Sequence, residues 1–343
     1  MISEHEEIPS GESEAIDEVR RLVMARMARQ YPPDSGLARR DAHPKHHGVV
    51  RAEFIVEGGL PSEYRVGIFR EARTFAAWVR FSNGAGVVQR DIVPDGRGMA
   101  IKLMGEDGRK LLADEPDAAT QDFLLINHDV FFIKDAKDYV ELFRIAERDG
   151  VPTRFFFPGL NPFKWRLKEF ANARKTRSQI AHPFSPRYWS MVPFLMGERP
   201  AKLSARPCNP PAASIPEQPA RDYLREAMAR HLDRDGIDFD FLVQLQTDPR
   251  RMPVEDPRVR WEESLSPYRK VATVRIKPQK FDTPAQQAFA EDLSYTPWHC
   301  IPEHRPLGGV NRCRESVYRE ISNFRHRANG KLRREPIGNE VFD

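Results

Sequence analysis

Cysteine is scarce in this chain: three thiols in 343 residues, Cys208, Cys300 and Cys313, odd in number and far apart. That spacing argues against a disulfide framework and fits reduced thiols in a cytosolic protein. Long apolar runs are missing too, and the stretch over 191–196 falls far short of a membrane span. Residues 1–18 are acidic and polar and lack the apolar core of a secretory leader, so the expected location is cytoplasmic. Nor does one sign of charge dominate. Lysine and arginine total 54 against 50 acidic residues, and the net charge of +4 is too small and too dispersed to argue for nucleic acid or an anionic membrane. The sequence holds no internal repeat or low-complexity tract. These absences leave a soluble globular chain as the expectation.

With 40% apolar residues, the chain is long enough for one large domain with a sizeable core, and two ordinary domains are not excluded. Residues 1–12 read as a disordered tail and 13–343 as a single domain. A helix is predicted over 14–29, ending before Pro32. Alternating apolar residues predict strands over 49–56, 76–81, 99–103, 237–246 and 271–277. Non-adjacent strands with long connections suit an antiparallel barrel. Further helices are predicted over 135–148, with Tyr139, Leu142, Phe143 and Ala146 on one face, and over 220–232. Between them, residues 151–215 are rich in proline, aromatic and basic residues without a clear period, and read as a wrapping segment.

A last helix is predicted over 311–327, where Val317, Ile321 and Phe324 are apolar and proline is absent. Positions four apart share a face, which sets Arg314 beside the ring of Tyr318. A fixed positive charge favours an ionised phenol, and a tyrosinate is a hard anionic donor suited to ferric iron. The plainer reading is a tyrosine whose hydroxyl reaches solvent beside a surface arginine. Near the other end stand Arg40, His43, His46 and His47. No carboxylate or cysteine completes a metal set with these histidines at an obvious spacing, and a solvated loop is the preferred reading for His46 and His47. Asn127 reads either as a turn residue after the apolar run 123–126 or as a functional amide. Arg80 and Arg325 read as surface charges or, from their placement relative to Ser82 and Tyr318, as members of a site.

In order and separation these pieces resemble the catalase superfamily, and within it the short, catalase-related haem proteins. The resemblance is carried by Arg40 three positions before His43, by Arg80-Phe81-Ser82-Asn83 and by the run 95–102. It continues in Asn127 ahead of Val130-Phe131-Phe132-Ile133, and in Arg314, Tyr318 and Arg325. It extends over roughly residues 38–330, and it implies an α+β fold: a closed antiparallel β-barrel with flanking helices, a haem b with ferric iron lying between barrel and C-terminal helix. By the same resemblance Tyr318 would ligate the iron, His43 would act as acid and base over the open haem face, Asn127 would polarise the peroxide and Ser82 would hold the histidine from behind. Arg40, Arg80 and Arg325 would neutralise the propionates or the proximal side, Arg314 would keep Tyr318 ionised, and Tyr139 would pack on the porphyrin. The chemistry requires such residues. Heterolytic O–O cleavage moves a proton between the two peroxide oxygens, which a neutral imidazole can do, and buried carboxylates need fork-shaped donors.

The implied activity is that of a catalase-like haem peroxidase reducing organic hydroperoxides or hydrogen peroxide, with the peroxide and an electron donor as small-molecule partners and room for a homo-oligomer. A second reading is a lipid-hydroperoxide isomerase or dehydratase of the allene oxide synthase type. Ala42 stands where those enzymes often carry threonine and true catalases usually carry valine. A third is a haem sensor or storage protein without turnover, against which His43 and Asn127 argue. Phe155, Phe156, Phe157, Trp165 and Phe194 are expected to line a broad mouth that favours organic hydroperoxides; as core residues they would confer no such preference.

Overall fold

The computed structural model describes residues 3–342. Residues 1 and 2 of the tail expected over 1–12, and residue 343 of the domain expected over 13–343, lie outside the described residues. After helix α1 (Glu12–Gln30), strands β1 (His46–Val56), β2 (Thr74–Asn83), β3 (Arg97–Met104) and β4 (Thr120–Ile126) form an antiparallel meander. Helices α2 (Ala136–Asp149), α3 (Thr153–Phe156) and α4 (Leu167–Thr176) lead to short strands β5 (Tyr188–Trp189) and β6 (Phe194–Met196), then β7 (Arg199–Pro207). Helix α5 (Tyr223–Leu232), strands β8 (Ile237–Leu245) and β9 (Arg269–Ile276), and helices α6 (Pro284–Asp292) and α7 (Gly309–Ala328) complete the order.

The sheet closes because β9 returns to β1, pairing Val274 with Phe54, while β5 bridges β4 through Ile126 and Trp189 and pairs with β7 on its other side. Eight strands thus form a closed antiparallel barrel, and β6 hangs outside the ring as a hairpin partner of β7. Closure removes free strand edges and sends alternate side chains to opposite faces. Inward go Phe54, Phe81, Ile101, Phe123, Phe239 and Phe241, all buried. Their rings interlock; Phe241 lies 5.0 Å from both Phe54 and Phe123, in the separation range that aromatic pairs favour. The alternate set on β2 and β3, including Arg80, Ser82, Gly98 and Lys102, therefore faces outward.

Helices cover that outer face. Helix α2 is started by Asp135, whose carboxylate accepts hydrogen bonds from the backbone N–H groups of Lys137 and Asp138. Its Ala136 packs with Val19, Val23 and Met27 of α1 and Cys313 and Val317 of α7, so the three helices share one apolar seam. Val317 and Ile321 face that seam, while Ser322 and Arg325, on another stripe of α7, meet Ser294 in the segment ahead of the helix. No helix among the described residues is long and apolar enough to cross a membrane.

Three expectations change. Residues 151–215 contain two barrel strands rather than only a wrap: β7 turns Ala201, Leu203 and Ala205 inward, small residues framed by prolines, and such a strand carries little periodic signal. The described part of the tail is anchored, not disordered. The Glu6 side chain is enclosed, 2.6 Å from Arg312 and 3.3 Å from Arg305, and a net acidic composition does not report that its partner is waiting. Finally, Phe155, Phe156 and Phe194 are core residues at 0%, 7% and 3% exposure and line no mouth, leaving only Phe157 half-buried and Trp165 partly open.

Candidate active site

His43 lies just before β1 with φ 58°, a left-handed conformation unusual for a side-chain-bearing residue and enriched at functional positions. Three contacts hold it there. Its N–H donates to the Gly84 carbonyl at 3.4 Å, its own carbonyl accepts from the Arg80 guanidinium at 2.7 Å, and its Nδ1 lies 3.0 Å from Ser82 Oγ. Ser82 pairs across the sheet with Gly98, and a Cβ at position 98 would sit 2.7 Å from both His43 Nδ1 and Ser82 Oγ. Glycine is therefore required in the floor beneath the imidazole. The ring is held neutral: burial, followed by the charges of Arg80, Arg314 and Arg40, lowers its pKa to about 3. With Nδ1 engaged by Ser82, Nε2 is the nitrogen left to exchange a proton.

Beside it the fold gathers three arginines from distant segments: Arg40 before β1, Arg80 on β2 and Arg325 on α7. Arg80 and Arg325 are 3% and 2% exposed, and the Arg40 side chain 13%. One buried carboxylate stands among them. Glu291 of α6 lies 3.6 Å from Arg40, 3.0 Å from His46 Nε2 and 2.9 Å from the outlying Arg39. Arg325 donates to the carbonyl of Leu293 at 3.0 Å, to Ser294 Oγ at 3.0 Å and to the Glu291 carbonyl. Burial is the main cause that lowers the pKa of all three guanidiniums, to about 9 for Arg325; burial raises the Glu291 carboxyl, but its hydrogen bond with His46 and the charges of Arg40 and Arg80 together hold it well below its usual range. Arg40 Nη1, Arg80 Nε, Glu291 Oε2 and the Tyr295 hydroxyl are buried without a hydrogen-bond partner. Buried polar groups are rarely left so, and such a cluster with excess positive charge invites an anion.

On α7, Arg314 and Tyr318 share the stripe that ends at Arg325. The Arg314 guanidinium donates to Asn311 Oδ1 at 3.3 Å and lies 6.0 Å from the ring centre of Phe131. Its charge acts on His43 and also on Tyr139, where burial raises the phenol pKa, and Tyr139 in turn feels Tyr318. Arg314 is thus near enough for its charge to reach both His43 and Tyr139, and Tyr318 near enough to reach Tyr139. Tyr139 packs against Phe131 and Phe143 at 6.0 and 5.6 Å.

Asn127 is placed differently. Its Oδ1 accepts from the Arg97 N–H at 2.6 Å, and its Nδ2 donates to Ser178 Oγ at 2.9 Å and to the Thr176 carbonyl at 3.3 Å. The amide thus ties β3 to the 176–178 segment, and it borders a separate cavity of about 420 Å³ lined also by Trp189, Lys202 and Trp261. His46 and His47 correct another expectation: they begin β1 and are buried at 3% and 1% exposure rather than solvated. Glu291 and Tyr295 were not singled out in the sequence. They lie in a stretch with no motif, and only their placement among arginines reveals them. Glu115, His299 and Glu335 lie close enough together to hold a metal ion, but Lys102 Nζ already sits 2.5 Å from Glu335 and 3.4 Å from His299 Nδ1.

No protein-family model matches this sequence, and no curated protein does. Solved structures do match. Catalase A from Saccharomyces cerevisiae superposes with a TM-score of 0.67 at 15% identity, covering 100% of this chain and 70% of that one. A bacterial catalase gives 0.67 at 15% identity over 93% of this chain and 65% of its own, and a fungal catalase 0.60 at 16% over 88% and 61%. The chain thus spans less than two thirds of the length of the bacterial and fungal catalases, and at this identity the likeness establishes the catalase-like fold.

Proposed function

We propose that this protein binds haem b between the barrel and α7 and reduces peroxides there. The observation that carries the reading is the buried arginine cluster. Three guanidiniums face one carboxylate, and the two carboxylates of a haem would balance the remaining charge and satisfy the orphaned Arg80 Nε. Tyr318 is the residue that would hold the iron, with Arg314 one turn earlier on the same stripe. Tyr139 would pack against the macrocycle.

When bound, the haem iron supplies the redox chemistry of O–O cleavage. The chain supplies the proton handling. His43 Nε2, neutral because the ring is buried among cations, accepts the proton from the hydroperoxide's terminal O–H and returns it to the departing oxygen. Ser82 and Gly98 fix the ring so that this nitrogen points one way throughout the exchange, which lowers the entropic cost of the step. The core placement of Phe155, Phe156 and Phe194 withdraws the support they would have lent to an organic-hydroperoxide preference. The substrate class is therefore a peroxide of either kind, with a reductant to complete the cycle.

Titration of the purified protein with haemin tests the reading. Wild type should show a saturable Soret band with a high-spin ferric spectrum, and Tyr318→Phe should lose that spectrum while its circular dichroism stays unchanged. An unaltered spectrum in Tyr318→Phe would refute the ligand. Oxygen release from hydrogen peroxide, oxidation of a chromogenic donor and conversion of a fatty-acid hydroperoxide then separate catalase, peroxidase and isomerase chemistry; none of the three would leave a haem carrier.

A further inference from the structure

The modest net charge conceals a local one. Over residues 150–177 the only carboxylate is that of Glu169, which pairs with Arg258 at 2.5 Å. Arg166 is held by Asp138 and Glu141 at 3.1 and 2.5 Å. Lys164, Lys168, Arg174 and Lys175 are exposed and form no ion pair among the described residues. In the midst of this basic surface stand Leu160 at 99% and Phe163 at 97% exposure, with Trp165, Leu167 and Phe170 at 39%, 57% and 37%. Single exposed apolar residues need no explanation, but a cluster of five does.

The loop that carries them is braced from beneath, so these tips are not the residue of a slack chain. Asn161 Oδ1 accepts from the Phe163 N–H at 3.0 Å and starts the single turn Pro162–Lys164. Trp165 Nε1 donates to the Gly159 carbonyl at 2.9 Å, and the Arg166 N–H donates to the Phe156 carbonyl at 2.8 Å. Phe157 packs on Trp165 and Phe170 at 5.5 and 5.0 Å. Leu160 and Phe163 project outward from this pedestal and cannot fold inward without breaking it. A protruding apolar tip ringed by unpaired lysine and arginine, with an amphipathic tryptophan at its base, matches the interface of an anionic bilayer.

We propose that this loop docks the protein on anionic phospholipid membranes, Leu160 and Phe163 entering the acyl boundary while Lys164, Lys168, Arg174 and Lys175 meet the headgroups. Docking is peripheral and reversible, because two apolar side chains anchor far more weakly than a spanning helix.

Co-sedimentation of the full-length purified protein with vesicles tests this without reference to turnover. The protein should pellet with phosphatidylcholine vesicles containing phosphatidylglycerol, pellet less with phosphatidylcholine alone, and be released by salt. Leu160→Ser combined with Phe163→Ser should weaken binding by about tenfold or more per side chain. Lys164→Glu combined with Lys168→Glu should weaken it about fivefold or more and leave the apolar tips in place. Equal sedimentation of wild type and both double variants overturns the proposal. So does a lipid-free light-scattering measurement in which the serine variant dissociates an oligomer, since the patch would then be covered by a second copy of the chain.

Discussion

The left-handed backbone of His43 is held by its neighbours: Arg80 grips its carbonyl, Gly84 accepts its N–H and Ser82 meets its ring. Holding the imidazole in one orientation is what a proton relay requires, and two variants separate the ring from its support. His43→Ala should retain haem binding, read by the Soret titration, and lose about two to four orders of magnitude in peroxide turnover. Unchanged turnover would transfer the role to another group. Gly98→Ala keeps every polar residue but places a methyl group 2.7 Å from His43 Nδ1 and Ser82 Oγ. A displacement of that ring should cost up to about a hundredfold in turnover with haem affinity preserved. Wild-type kinetics in Gly98→Ala would show that the ring position is not limiting. Asn127 stands apart at this scale: its order ahead of Phe131 was legible, but the direction of its amide was not, because one residue's rotamer depends on partners at Arg97 and Ser178 that lie far along the chain.

At the scale of elements, α7 joins two tasks. One stripe packs Cys313 and Val317 against α1 and α2, and the other carries Arg314, Tyr318 and Arg325, the last of which reaches Ser294. Both stripes could be read from a period of 3.6 residues, which is why the helix itself was predictable within two residues at its start and one at its end. The start of α7 is fastened by Arg312, which reaches Glu6 at 2.6 Å, Glu12 at 2.5 Å and Glu255 at 2.9 Å. Arg312→Ala leaves these carboxylates facing one another in a largely buried site and should destabilise the fold by about 3 kcal/mol. Equilibrium denaturation in urea measures it, and limited proteolysis should show the N-terminal segment cut first. A change below the error of the urea fit would mean that the three acids find other partners. Strands β5 and β7 were hidden in the sequence for an equally local reason: two residues are too few to show a period, and the alanines of β7 are apolar without being large.

For the whole molecule, acid is the expected weakness. His46, His182 and His304 are buried with pKa values lowered to about 4 and His299 to about 3, burial being the leading cause in each, and His47 is depressed in the same way. Their folded pKa values lie below the unfolded value of about 6.5, so in this window the unfolded chain binds more protons than the native one. Stability should therefore be full near neutrality and fall as pH drops from about 6.5 toward 4. Thermal unfolding midpoints across that range check it, and a flat profile would mean the histidines accept protons without leaving their sites.

The sequence by itself determined what depends on near neighbours. Helical and strand periods, the spacing of Arg314, Tyr318 and Arg325 along one helix, and the reach of Arg40 to His43 all follow from a few consecutive residues. Tertiary structure decided which charges share a buried space. Arg40, Arg80, Glu291 and Arg325 come from segments far apart in the chain, and the packing of α6 and α7 beside the barrel brings them together. It also decided that His46 and His47 are enclosed while Leu160 and Phe163 are left out. Burial is a property of how distant segments pair, and hydrophobicity read along a chain does not contain it.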